Sequence, residues 1–198
     1  MNINAIINRT KNLIISPTEE WKNIEKEETV ASDVLKNFVL PYLVLNALAS
    51  IVGNVLFTGK ILFYNPVPYA IISAVISILI YLIVIYVTAE IIKRLGPNFD
   101  TEIDNNKAFK LVAYSFAPSY VISIIVGIFP FLYPLGILGL ISFFVMWYGF
   151  GSLLHTPDEK KVGFFIISIL IIIIEYLAIA FILGSILLGL IISLVMVK

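Results

Sequence analysis

Val162-Gly163-Phe164-Phe165-Ile166-Ile167-Ser168-Ile169-Leu170-Ile171-Ile172-Ile173-Ile174-Glu175 opens an apolar run that continues to Val197. Inside a bilayer no water pairs with backbone N–H and C=O groups, so only helices and closed barrels cross it. Barrel strands alternate apolar and polar residues, whereas this run is continuous and reads as a helix. Its length of about 36 residues corresponds to about 54 Å, against a hydrocarbon core of about 30 Å. That is too long for one upright span and too short for two with a turn. One span to about Leu183 is expected, then a bend near Gly184–Ser185. The apolar tail beyond it continues as a tilted helix or lies in the outer interface.

Upstream, four more segments are long and apolar enough to cross: Asn37–Phe57, Tyr69–Ile92, Ala108–Ile128 and Leu132–Leu154. With Val162–Val197 they predict an all-α polytopic membrane protein, a five-helix bundle over residues 37–198. Residues 1–36 form an amphipathic cytoplasmic or interfacial N-terminal segment. Composition agrees: 60% of the 198 residues are hydrophobic and 13% charged, too little polar surface for a water-soluble domain. Formal net charge is zero, so no basic field gathers nucleic acid. With no Cys and one His, neither a thiolate site nor an ordinary zinc ligand set is expected. Nor does a continuous apolar stretch precede a cleavage site at the N-terminus, as a signal peptide requires.

Charge placement sets the expected orientation. Arg9, Lys11, Lys22, Lys26 and Lys36 precede the first span. Lys93, Arg94, Lys107 and Lys110 lie around the second loop, and Lys160 and Lys161 precede the last span. Eleven of the 13 basic residues thus fall on one side, leaving Lys60 and Lys198 on the other. Basic residues favour the cytoplasmic side, which predicts the N-terminus inside and the C-terminus outside.

Ile3, Ile6, Ile7, Leu13 and Ile14 recur at helical spacing and read as an interfacial amphipathic helix. Ser16-Pro17-Thr18-Glu19 then has the form of a capping box, with Pro17 at the first helical position. Trp21 and Ile24 share a face of the helix that follows, and Trp21 is expected as an anchor at headgroup level. The pair of helices reads either as a docking surface for a partner or as elements resting on the bilayer or bundle.

Glu175 is the sharpest anomaly, about 13 residues or roughly 20 Å beyond the start of its span. A carboxylate at that depth is costly and should face the bundle, paired or protonated. With no basic residue at comparable depth, a neutral carboxyl donating a hydrogen bond is expected, its partner the first-span stripe of Asn46, Ser50 and Asn54. Glu90, followed by Lys93 and Arg94, forms an ion pair at the cytoplasmic edge. His155 reads as a headgroup contact. Small-residue stripes (Asn46, Ser50, Gly53 and Asn54; Ala70, Ser73, Ala74 and Ser77; Ser115, Ser119, Ser123 and Gly127) mark faces where helices approach closely. Pro118 should kink the third span, and Pro130 and Pro134 bracket a tight outer turn.

Asp100 to Asn106 resembles a calcium loop only superficially, because Gly is missing at the sixth position and Glu at the twelfth. Asp104 or Asn105 reads as a helix cap instead. The chain carries neither a Walker loop nor a G-x-S-x-G elbow, and no internal repeat. No catalytic residue, cofactor site or metal site is assigned.

Three stretches carry a family resemblance. They are Ser16-Pro17-Thr18-Glu19-Glu20-Trp21-Lys22-Asn23-Ile24; Ala113-Tyr114-Ser115-Phe116-Ala117-Pro118 with Gly127-Ile128-Phe129-Pro130; and Trp147-Tyr148-Gly149-Phe150-Gly151. In this order the chain resembles the Yip family, the Ypt-interacting-protein-type membrane domain of Golgi proteins and of prokaryotes, over nearly its whole length. The resemblance implies five helices and a cytoplasmic N-terminus. Eukaryotic relatives look like trafficking factors that bind prenylated Rab-type GTPases, a partner implied only if the chain is eukaryotic. The short Pro-x-x-x-Trp-x-x-Ile opening looks like the prokaryotic branch, which implies the plasma membrane.

The expected function is non-enzymatic: membrane organisation or trafficking-like scaffolding through helix–helix or lipid contacts. Its partners would be the bilayer, a second copy or another membrane protein, and not nucleic acid. The alternative is a small proton or ion transporter or channel using Glu175.

Overall fold

The computed structural model describes residues 3–58 and 66–196. Lys60, Lys198 and the Val197 end of the last predicted span lie outside the described residues. The described chain is an all-α membrane bundle. Helices α1 (Ile3–Ile15) and α2 (Pro17–Lys26) form an N-terminal pair, followed by α3 (Ala31–Phe57) and α4 (Val67–Leu95). Next come α5 (Asn105–Ser115) and α6 (Ala117–Ile128), a 3-10 helix over Pro130–Leu140, α7 (Ile141–Ser152) and α8 (Asp158–Met196). Among the described residues, four helices are long and apolar enough to cross a membrane, or five if α5 and α6 are one bent span.

Proline shapes two of these elements. Pro41 has no N–H and crowds the carbonyl four residues back, and the chain just before it widens into a π turn over Leu35–Val39. Pro118 cannot donate to Tyr114, and α5 and α6 meet at a bend of 41°. Asp104 caps α5, its Oδ1 accepting the Lys107 N–H at 2.7 Å. The expected capping box at Ser16 does not form. Its side chain caps nothing, and Glu19 pairs with Lys22 at 3.0 Å instead. Nor does Pro130 to Pro134 make a tight turn, because Pro130 starts an 11-residue 3-10 helix.

The last run is one helix of 39 residues, unbroken at Gly184–Ser185, where a bend was expected. Neither residue removes a backbone hydrogen bond as Pro would, and the Ser185 hydroxyl bonds back to the Phe181 carbonyl at 2.7 Å within the continuous helix.

Close approach organises the middle of the bundle. A Cβ on Gly53 of α3 would lie 1.9 Å from the Gly127 carbonyl oxygen of α6, and one on Gly127 would lie 3.2 Å from Ala49 Cβ. The two backbones therefore touch where both residues are glycine, as small-residue faces allow. Helix α3 packs on α6 and α4, whereas α8 packs on α4 and α7. The outer face of α8, with Ile166, Leu170, Ile174, Leu177 and Phe181, is exposed.

Three segments gather at one charged end: the α1–α2 pair, the turn after α4 and the turn before α8. Asp100 pairs with Lys160, His155 with Glu25, and the Ala31 N–H with Asn106 Oδ1 at 2.9 Å. His155 is thus held by a carboxylate of α2, where a headgroup contact was expected.

Candidate functional site

At this charged end the three family-like stretches converge on one side chain. Trp21 is 0% exposed, which corrects its expected place as an interfacial anchor. Helix α2 lies against α7, and the Trp21 indole N–H donates to the Val145 carbonyl at 2.9 Å. A buried indole needs such a partner. Tyr114 meets the indole edge-on at 6.3 Å, and Phe38 packs on Tyr114 at 4.7 Å. Gly149 leaves room for the ring, since a Cβ there would lie 3.0 Å from the indole and 2.4 Å from Leu111 Cδ1. The indole N–H, which at headgroup level would meet water or lipid, is satisfied inside the bundle instead.

Charged residues fasten α1 and α2 over this plug. Arg9 pairs with buried Glu20 at 3.0 Å and with Glu27, and lies 5.4 Å over the Tyr114 ring. Burial opposes the Arg9 charge, but the hydrogen bond and field of Glu27 outweigh it, so its pKa lies above the ordinary guanidinium value. Asn12 donates to Glu20 at 3.0 Å. Lys110 Nζ donates to the Glu27 carbonyl at 2.7 Å, covering the end of α2 where helical carbonyls lack partners. Thr10 and Tyr42 share a buried hydrogen bond of 2.7 Å. The N-terminal helices are therefore integrated with the bundle rather than merely resting beside it.

Deeper in the bundle, Glu175 Oε2 accepts from Thr88 Oγ1 of α4 at 2.6 Å. Thr88 is 0% exposed. Glu175 Oε1 is shielded and has no hydrogen-bond partner among the described residues. This corrects the expected pairing with the first-span stripe. Asn46 donates to Ser123 of α6, and Asn54 donates to Ser50 at 3.2 Å within α3. The reason is topological, since α3 faces α6 and α4 while α8 approaches α4 from elsewhere. Thr88 lies only two residues before Glu90, so Glu175 is nearer the charged end than a residue count along its own helix suggested. The one sequence signal for Thr88 was a small hydroxyl side chain in an apolar stretch beside the Glu90 cluster.

Glu90 does form the expected ion pairs, with Lys93 at 2.7 Å and Arg94 at 2.6 Å. Ser119 and Ser142 join α6 to α7 at 2.7 Å. Among the described residues, no three His, Asp or Glu side chains gather as a metal-binding group. Three polar pairs in the spans join one helix to another, while Ser73, Ser77 and Ser168 bond back to carbonyls of their own helices.

These features define an all-α polytopic membrane bundle with an N-terminal helix pair locked onto one end. Residues 11–182 match the Yip1 domain, and the chain belongs to that family. Neither the curated proteins nor the solved structures gave a match.

Proposed function

We propose that this Yip1-domain protein organises a prokaryotic plasma membrane without catalysing a reaction, acting through helix–helix and lipid contacts. One observation carries this reading: three polar pairs within the spans each join one helix to another. Thr88 holds Glu175, Asn46 holds Ser123, and Ser119 holds Ser142. In this reading the charged end, with the N-terminal helix pair, faces the cytoplasm, consistent with the basic residues gathered there. The C-terminus lies outside. A second copy or another membrane protein would dock on the exposed helix faces.

The second reading, a small proton or ion transporter or channel, draws on the unpartnered Glu175 Oε1. Flux in liposomes separates the two. Wild type and Glu175→Gln reconstituted with a pH-sensitive interior dye should both leave an imposed proton gradient intact, and likewise a potassium gradient. Flux in wild type that disappears in Glu175→Gln would overturn the organising role and establish transport.

A further inference from the structure

A cavity of about 430 Å³ lies between α4, α6, the 3-10 helix with α7, and α8. That volume is within the range of about 300–1,000 Å³ typical of small-molecule sites. Its walls come from segments long and apolar enough to cross the membrane. The lining is mainly apolar, so the polar atoms in it decide what can bind.

The serine hydroxyls are engaged, and the Tyr176 hydroxyl belongs to an exposed residue at the rim. Ser119 and Ser142 bond to each other at 2.7 Å, and the Ser119 hydroxyl also donates to the Gly139 carbonyl at 3.2 Å. Ser123 donates to the Tyr120 carbonyl at 2.9 Å and accepts from Asn46. The Tyr81 hydroxyl lies near Ser123 and Asn46. Among the described residues, the serines in the cavity are thus committed to one another and to the backbone, and no charged side chain lines it to orient a sugar, a nucleotide or an ion.

The mouth opens on the outer surface of the apolar helices. Lining residues Tyr176 and Leu177 of α8 are exposed, as are Gly136 and Leu140 of the 3-10 helix, while Ser142 and Ile85 at the back are buried. Helix α8 and the 3-10 helix do not pack as neighbours, which leaves the gap between them. A 3-10 helix of 11 residues is a weak wall, since such runs seldom exceed three or four residues.

We propose that this cavity seats a hydrocarbon chain of a membrane lipid, entering between α8 and the 3-10 helix. The engaged hydroxyls select against polar ligands, and the walls offer contact to the methylenes of the chain. The proposal rests on the lipid-contact half of the functional reading, and the two can fail separately.

Glycines supply the test. Gly136 lines the cavity, has no positive φ, and a Cβ on it would meet nothing within 4 Å. Gly184 has the same freedom but lies outside the cavity. The full chain is reconstituted with phosphatidylcholine carrying a diazirine in one acyl chain, irradiated, digested and mapped by mass spectrometry. Labelling is expected on cavity residues of α4 and α6, such as Ile80 and Ile122, lost in Gly136→Trp and retained in Gly184→Trp. Thermal unfolding in detergent shows that each variant is folded, with Gly136→Leu replacing a Trp variant that is not. Cavity labelling that survives the filled variant overturns the proposal, as does labelling confined to outer positions such as Ile166 and Leu170. Either failure leaves the organising role standing, because that reading falls only to Glu175-dependent flux.

Discussion

Gly149 of α7 lies directly beneath the Trp21 indole of α2. A Cβ at position 149 would come within 3.0 Å of ring atoms Cε2 and Cζ2. The same Cβ would also press into Leu111 Cδ1 at 2.4 Å, so the ring is not alone in enforcing the absence of a side chain. Two segments far apart in sequence, one ahead of the first span and one inside α7, are thereby fitted as ring and socket.

Gly149→Ala should therefore destabilise the protein even though Ala is the better helix former. Propensity favours Ala by about 1 kcal/mol, while overpacking a filled site costs about 1–3 kcal/mol. A net loss is expected, read as a lower thermal-unfolding midpoint in detergent. Midpoints equal to or above wild type would show that α2 does not sit on α7 in this way.

The burial of Trp21 is open to spectroscopy. Trp147, the other tryptophan, packs against Phe165 and beneath Lys161 Nζ. In Trp147→Phe the emission reports Trp21 alone. It should be blue-shifted, and neither acrylamide nor lipids brominated near the headgroup should quench it. Strong quenching by shallow brominated lipid is the signature of an interfacial anchor and would contradict the buried placement.

Much of the architecture was readable from the chain because the bilayer leaves few options. The apolar runs, the Pro118 bend, the Asp104 cap and the Glu90 ion pairs depend on local chemistry or on residues within a turn of one another. Trp21 and Glu175 were misplaced for a shared reason. Each has a partner that depends on which helices are neighbours, and hydropathy is silent on that. Trp21 carries the pattern of an interfacial residue, yet its N–H finds a carbonyl on α7. Of the Asn46 stripe, Asn46 goes to Ser123 of α6 and Asn54 bonds Ser50 within α3, while Glu175 finds Thr88. The loose 3-10 helix was hidden because Pro and Gly fit a turn as well as they fit an irregular helix.

The Gly53–Gly127 contact predicts a steep contrast between glycines. Gly53→Ala places a Cβ 1.9 Å from a backbone oxygen that no side-chain rotation can move away. The cost should reach or exceed the usual range of about 1–3 kcal/mol for overpacking. Gly136→Ala, with open space around it, should change stability by about 0.5 kcal/mol or less. Thermal midpoints of the two variants in one detergent give the comparison, and similar midpoints would mean that α3 and α6 do not meet at their glycines.

Tyr120 offers a prediction of opposite sign. Its ring stacks on Tyr42 at 5.3 Å, and its hydroxyl is buried with no hydrogen-bond partner among the described residues. Removing an unsatisfied hydroxyl while keeping the ring relieves a penalty of about 1–3 kcal/mol. Tyr120→Phe should be neutral or stabilising by thermal unfolding. A clear loss of stability would indicate a hydrogen-bond partner for that hydroxyl.

Thr88 and Glu175 can be separated from their surroundings by a mutant cycle. Thr88→Val keeps the shape of the side chain and removes the donor to Oε2, leaving a carboxyl with neither oxygen satisfied. That should cost about 1–3 kcal/mol, whereas Glu175→Gln retains an acceptor for Thr88 and should cost about 1 kcal/mol or less. Replacing both partners by apolar groups removes the obligation altogether, so Thr88→Val with Glu175→Leu should be more stable than Thr88→Val alone. The order of unfolding midpoints in detergent tests this directly. If Thr88→Val is harmless, the hydroxyl is not what holds Glu175, and the carboxyl must be satisfied from another helix or by the lipid phase. If the double variant is the least stable of the set, Glu175 contributes a contact beyond Thr88, and Oε1 is the atom through which it does so.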